Sequence, residues 1–225
     1  MMLKKSLPIE ESLYDILDST TSFELKEAYN SLCTTVLHSE NGDQLKTLAI
    51  TSSIYGEGKT SLAINFAYAL ACNLIDKKVL LVDADFRKSN VAAFMKNRIS
   101  VPEEMQGLSK LLVSDDEFPT VIETNLENMD VVLSGSAPLN PAGLINSLKM
   151  KDFLAKCSET YDYVIIDTPP INVVSDALLL IGGVDGYIIA AKNKFSKIPA
   201  LDATQKALNS VGANVLGIVL TEIKK

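Results

Sequence analysis

LAITSSIYGEGKTSLAINFAYALA, residues 48–71, decides the fold. LAITSS is a short apolar run of strand type, and SLAINFAYALA has helical character. Between them lies SIYGEGKT, placed where a phosphate-binding loop must sit. Such a loop needs consecutive backbone N–H groups turned toward an anion. Gly56 and Gly58 let the backbone curl and approach closely. The helix that begins near Lys59 adds its N-terminal amides and positive dipole end. In the G-x-x-x-x-G-K-[ST] pattern the Lys reaches terminal phosphates and the Ser/Thr hydroxyl serves a divalent cation. Ser53 stands at the first Gly position, where a small residue can serve. Alone, Gly-x-Gly is only a turn; the following Lys-Thr and the flanking strand and helix make it a nucleotide loop. The expected nucleotide contacts are Ser53, Gly56, Glu57, Gly58, Lys59, Thr60 and Ser61.

Downstream, apolar runs alternate with helical patterns. Expected strands are LKTLAITSS, KVLLVDAD, MDVVLSG, YDYVIIDTPP, DGYIIAAK and NVLGIVLTEI. They are continuous rather than alternating in polarity, as strands covered on both faces are. Expected helices run over about 59–74, 107–113, 141–148, 150–157, 175–181 and 199–210. This alternation predicts parallel βαβ units in a doubly wound α/β sheet, with ligands beyond the carboxyl ends of the strands. Two more polar motifs fall at such ends. In KVLLVDADFRKS, Asp83 and Asp85 are two apart on a strand and point the same way. They can hold a cation or take a proton from an attacking hydroxyl; Arg87 and Lys88 can neutralise phosphate charge. In YDYVIIDTPP the strand-end Asp167 fits a metal-supporting carboxylate, and Pro169 and Pro170 stop the strand. Each acidic motif has a bland reading as a cap or charged turn, and the three together in this order outweigh it.

The N-terminal stretch divides in two. Residues 1–20 read as a loosely held arm. In TSFELKEAYNSLCTTVLHS, Thr21 and Glu24 form a capping box, Leu25, Ala28, Tyr29, Leu32, Val36 and Leu37 share one face, and Asn41-Gly42 ends the helix. The expected organisation is an arm and helix over 1–42, then a nucleotide-binding domain over 43–225, forming one compact unit. His38 reads as a cap or surface residue, and the acidic run SDDE at 114–117 as a solvated loop.

The bulk numbers narrow the function. The 225 residues are 47% hydrophobic and 22% charged, and the net charge is −7. That balance argues against a general nucleic-acid surface. The three scattered cysteines suit a reducing compartment. No leader or membrane-length apolar run is seen, so a cytoplasmic protein is expected, reaching a membrane through a partner.

SSIYGEGKT, VLLVDADFRKS and VIIDTPP together resemble the Walker A, A′ and B motifs of bacterial tyrosine kinases of the CpsD/CapB type, which share a MinD/ParA-like P-loop NTPase fold. Asp83-Ala84-Asp85-Phe86-Arg87 is the most discriminating piece, and the likeness runs from about Leu25 to Ile223. It implies an ATP and Mg²⁺ site. Lys59 contacts the terminal phosphates; Thr60, Asp85 and Asp167 support Mg²⁺; Asp83 orients or deprotonates the substrate hydroxyl; Lys59, Asp83, Asp85 and Arg87 form the catalytic set. It also implies tyrosine substrates on partner proteins, a membrane-anchored activator or polysaccharide co-polymerase, and a role in capsular or extracellular polysaccharide production at the inner face of the membrane. The chain departs from the family pattern in four ways. Asn30 and Cys33 replace the arginines of an oligomerisation motif that begins at Glu27. No Tyr follows Tyr187, so clustered tail autophosphorylation is not expected. Thr221 replaces an adenine-side Asn, and Tyr55 replaces a Pro. Two alternatives stay open here: a nucleotide-binding scaffold without phosphotransfer, and a MinD/ParA-type positioning ATPase, against which Ile54 stands at that group's signature Lys.

Overall fold

Seven strands line up in the order β3-β4-β2-β5-β1-β6-β7. The computed structural model describes residues 16–18, 20–39, 44–102, 105–114 and 121–221. The strands are β1 (Thr47–Ser52), β2 (Val79–Asp83), β3 (Ile122–Glu123), β4 (Met129–Val132), β5 (Tyr163–Asp167), β6 (Gly186–Lys192) and β7 (Val215–Thr221). All pair in parallel except β3 with β4. All six strands expected from the sequence form, with ends within three residues of those expected. The two-residue β3 was not expected. Every residue of β1 and β2 is buried, which is why those runs are unbroken apolar rather than alternating.

Helices cover both faces. One apolar cluster joins Leu48 and Ile50 of β1 to Leu62, Phe66 and Leu70 of α2 (Lys59–Asn73). A second joins Val82, Val132 and Ile166 to Phe153 and Leu154 of α6 (Leu148–Thr160). A third sets Leu208 of α7 (Ile198–Ser210) against Tyr187 and Ile189. Three short helices lie between: α3 (Val91–Phe94), α4 (Leu108–Leu111) and α5 (Pro141–Ile145). The expected 175–181 helix is a 3₁₀ helix over Asp176–Leu180.

The N-terminal helix α1 (Phe23–Leu37) corrects several details. Its N-cap is Ser22, whose hydroxyl accepts from Leu25 N–H at 3.3 Å. Thr21 is engaged upstream instead, its hydroxyl accepting from Asp18 N–H. The buried residues are Cys33 and Val36, with Tyr29, Leu32 and Leu37 partly packed; Leu25 and Ala28 are exposed. His38 is the exposed C-cap. Helix α1 packs in the same cluster as α2. Asn30 accepts from Asn73 at the end of α2, and Cys33 faces the core, so both positions that depart from the oligomerisation motif serve the α1–α2 contact. The arm is held at its end: Ile16 and Leu17 are buried, and Leu17 N–H donates to Asn65 at 2.7 Å. Residues 1–15, Asn41-Gly42 and 115–117 lie outside the described residues.

GLSKLL, residues 107–112, and SGSAP, residues 134–138, meet backbone to backbone. Leu108 and Ser109 donate to the carbonyls of Leu133 and Ser134 at 2.9 Å. A Cβ on Gly107 would lie 2.4 Å from the backbone of Gly135 and 2.8 Å from the Leu133 carbonyl. Backbone cannot yield as a side chain can, so Gly107→Ala is expected to cost about 3 kcal/mol. For a chain of this size that lowers the melting temperature by roughly 10 °C in circular dichroism; a shift under a couple of degrees would contradict the contact.

Candidate functional site

Three neighbouring strands, β2, β5 and β1, end on the same edge and bring the three motifs together. Asp83 of β2 pairs in register with Asp167 of β5, which pairs with Ile50 of β1. Asp83, Asp85 and Asp167 are all fully buried. Lys59, also buried, reaches into them: its Nζ is 2.9 Å from Asp85 Oδ2 and 3.3 Å from Asp167 Oδ1. Thr60 donates its hydroxyl to Asp167 Oδ2 at 2.6 Å.

The electrostatics follow from this crowding. Burial works against the Lys59 ammonium, but Asp167 and Asp85 outweigh it and hold its pKa above the ordinary lysine value. Burial raises Asp167, against the pull of Lys59 and the Thr60 hydroxyl. Burial first, then Asp167, pushes the Asp83 carboxyl up to about 7. One cation among three carboxylates leaves the group anionic whenever they ionise. Such a cluster attracts a further cation.

The loop itself is built from inside. Gly56 and Gly58 have φ of 86° and 84°, the left-handed region that favours glycine. Glu57 is 1% exposed and turns inward. Its carboxylate accepts from Ser53 N–H at 2.6 Å and Ile54 N–H at 2.9 Å, and also from the Ser196 hydroxyl. Thr204 donates to Ser53 Oγ at 2.9 Å. Glu57 and Ser53, expected as nucleotide contacts, therefore serve to shape the loop. Thr221 has a similar part: its hydroxyl donates to the Glu57 carbonyl at 2.8 Å, and its side chain fills the space where a Cβ on Gly58 would go. The open side of Gly56 faces the Phe195 ring, Lys59 and Thr60 turn to the strand-end carboxylates, and Ser61 accepts from Asn65.

Arg87 corrects another expectation. Its guanidinium makes a two-pronged bond to Asp176, 2.8 Å from Nε and 3.0 Å from Nη2, 89 residues along the chain. This pair ties the segment after β2 to the 3₁₀ helix, and the Arg87 charge is spent on Asp176 rather than offered to phosphate. Asp176 is 2% exposed and Arg87 36%. Removing Arg87 strands a buried carboxylate, whereas removing Asp176 frees an arginine that can turn to water. Arg87→Ala is therefore expected to cost about 3 kcal/mol and Asp176→Ala about 1 kcal/mol. Urea midpoints of the two variants check the order, and equal losses would remove the argument.

Tyr55 meets the segment after β2: Lys88 Nζ stands 5.3 Å from its ring centre, a cation–π contact between the two loops. Sequence reasoning missed the roles of Glu57, Ser89, Asp176 and Ser196. Ser89 donates its hydroxyl to Asp83 Oδ2 at 2.5 Å, and only its place in FRKS, beside DAD, could have marked it.

A phosphate loop between a buried strand and a helix, at the carboxyl edge of a mainly parallel sheet and facing strand-end carboxylates, defines a P-loop nucleotide-binding enzyme. The family model described as "AAA domain" matches residues 45–213. The tyrosine-protein kinase CpsD of Streptococcus pneumoniae serotype 4 is 35% identical over 88% of this chain and 84% of its own length. The tyrosine-protein kinase YwqD of Bacillus subtilis is 33% identical over 86% and 79%. The crystal structure of the chimerical protein CapA2B2 superposes with a TM-score of 0.84 at 28% identity, covering 95% of this chain and 91% of that one. The chain belongs to the bacterial tyrosine-protein kinases.

Proposed function

We propose that the protein transfers the terminal phosphoryl group of ATP to tyrosine hydroxyls of partner proteins, in the service of capsular or extracellular polysaccharide production. The observation that carries this reading is the convergence of Lys59, Thr60, Asp83, Asp85 and Asp167 at one strand edge. Lys59 and the amides of Gly56, Gly58 and Thr60 hold the terminal phosphates. Asp83 receives the substrate hydroxyl and its proton. Arg87 is a positioning residue that keeps the segment carrying Asp85 in place.

Mg²⁺ fits the donor set in part. Thr60 Oγ1 and Asp167 Oδ2 are hard oxygen donors 2.6 Å apart, but among the described residues no three acidic, histidine or cysteine side chains form a ready cage. That suits a cation that takes its other oxygens from phosphate and water. When bound, it neutralises charge on the phosphates. Asp85 would join Thr60 and Asp167 in holding it.

Among the described residues no helix is long and apolar enough to cross a membrane; in this reading a membrane-anchored activator places the enzyme at the inner face. The test incubates the purified chain, its activator and labelled ATP with Mg²⁺, then probes for phosphotyrosine. Label on a tyrosine of a partner that is lost in Lys59→Met supports the reading. Tight nucleotide binding with no phosphotyrosine anywhere supports the scaffold alternative instead.

A further inference from the structure

Asp83 is the carboxylate that, on the reading above, receives the acceptor hydroxyl, and a hydroxyl of the chain already lies on it. Ser89 Oγ donates to Asp83 Oδ2 at 2.5 Å, a short, charge-assisted bond. The other oxygen, Oδ1, is bonded from within by Asp85 N–H at 3.2 Å. Asp83 is fully buried, whereas Ser89 is exposed, so Ser89 meets the carboxylate from the side on which a substrate must come. The Ser89 side chain does not cap α3: the N-cap there is Asn90. Serine is shorter than tyrosine, but the chain returns toward Asp83 within six residues and brings the backbone of residue 89 close enough to make up the difference. Lys59, which holds the terminal phosphate in this reading, is among the charges that act on Asp83.

We infer that Ser89 is an internal phosphoacceptor, and that its modification closes the site. This rests on the kinase reading above. In the step, Ser89 Oγ bonds to the γ-phosphorus while the bond from that phosphorus to the β–γ bridging oxygen breaks. The electron pair leaves on ADP, and the Ser89 proton passes to Asp83 Oδ2. The product is phosphoserine, carrying about −1.5 to −2 charges, set beside Asp83 and within the field of Asp85 and Asp167. A second nucleotide then meets added negative charge, so the modified chain binds ATP less well. Phosphorylation at 89 is thus a self-limiting event, favoured when no tyrosine displaces Ser89 from Asp83.

The tryptic peptide SNVAAFMK, residues 89–96, contains Ser89 as its only hydroxyl residue, so its mass alone reports the event. The full chain and its activator are incubated with ATP and Mg²⁺, with and without partner proteins, then digested and weighed. The expected result is one phosphate on this peptide, absent in Lys59→Met and carried as phosphothreonine in Ser89→Thr. Separately, Ser89→Asp is expected to bind a fluorescent ATP analogue about tenfold more weakly than the unmodified chain, within the usual range for coupled sites. Phosphotyrosine on a partner with an unmodified 89–96 peptide overturns the inference and leaves the kinase reading intact. No phosphate on any residue overturns both. Equal phosphate on Ser89 in Lys59→Met means another enzyme put it there, which also overturns the inference, and an unchanged affinity in Ser89→Asp overturns the closing of the site.

Discussion

Lys59→Met is expected to lose phosphotransfer by about a thousandfold and, before any nucleotide is added, to melt roughly 10 °C lower at pH 8. The first effect follows from the proposed mechanism, in which that ammonium holds the terminal phosphates. The second follows from the ion pairs of that ammonium, which stands between Asp85 and Asp167. Taking one partner from a buried ion pair costs about 3–5 kcal/mol because the remaining charge is left in a poor solvent. The carboxylates can escape by taking up protons, and they do so more readily at low pH. The deficit therefore shrinks from pH 8 to pH 6. Scanning fluorimetry at both values measures it; a deficit that does not change with pH would rule out the electrostatic cause.

Asp83→Asn should move two readouts in opposite directions. Phosphotransfer falls by about 10²–10⁴, the usual worth of a positioned proton acceptor. Stability rises at neutral and higher pH. The Asp83 carboxyl has its pKa raised from 3.8 to about 7, chiefly by burial and then by Asp167. Well below pH 3.8 it is protonated in both folded and unfolded chains and contributes no difference. Between those values the unfolded chain gives up the proton and the folded chain keeps it, so stability falls as pH rises, and above about 7 the deficit is constant. Asn carries no charge to desolvate and still accepts the Ser89 hydroxyl. Urea unfolding of both proteins with EDTA, from pH 5 to pH 9, checks this. If the curves stay parallel across that range, the Asp83 charge does not govern the slope. A site that opposes its own stability in this way is common where charge is gathered for chemistry.

Most of the frame was legible because the signals were local. Unbroken apolar runs marked strands buried on both faces, and Lys59-Thr60 after two glycines marked the loop. Strand β3 was missed because two residues carry no period. The cap of α1 was misplaced by one residue because Thr21 and Ser22 are equally good in sequence, and only the Asp18 contact of Thr21 separates them. The partners that orient the site were not legible: Arg87 with Asp176, Glu57 with Ser196 and Ser53 with Thr204 each join residues 89 to 151 positions apart. Glu57 is the sharpest case. It lies within the phosphate motif itself, yet its carboxylate is taken up by two loop amides and the Ser196 hydroxyl.

The position of Lys59 also sets a condition of entry. Its charge is already claimed by two carboxylates, so a bare nucleotide would arrive as a fourth anionic group in a cluster with no spare positive charge. On the proposed mechanism, a nucleotide that brings its own cation releases the lysine and leaves the carboxylates satisfied. Entry is then an exchange: the cation takes the lysine's place among the carboxylates, and the lysine turns to the phosphates.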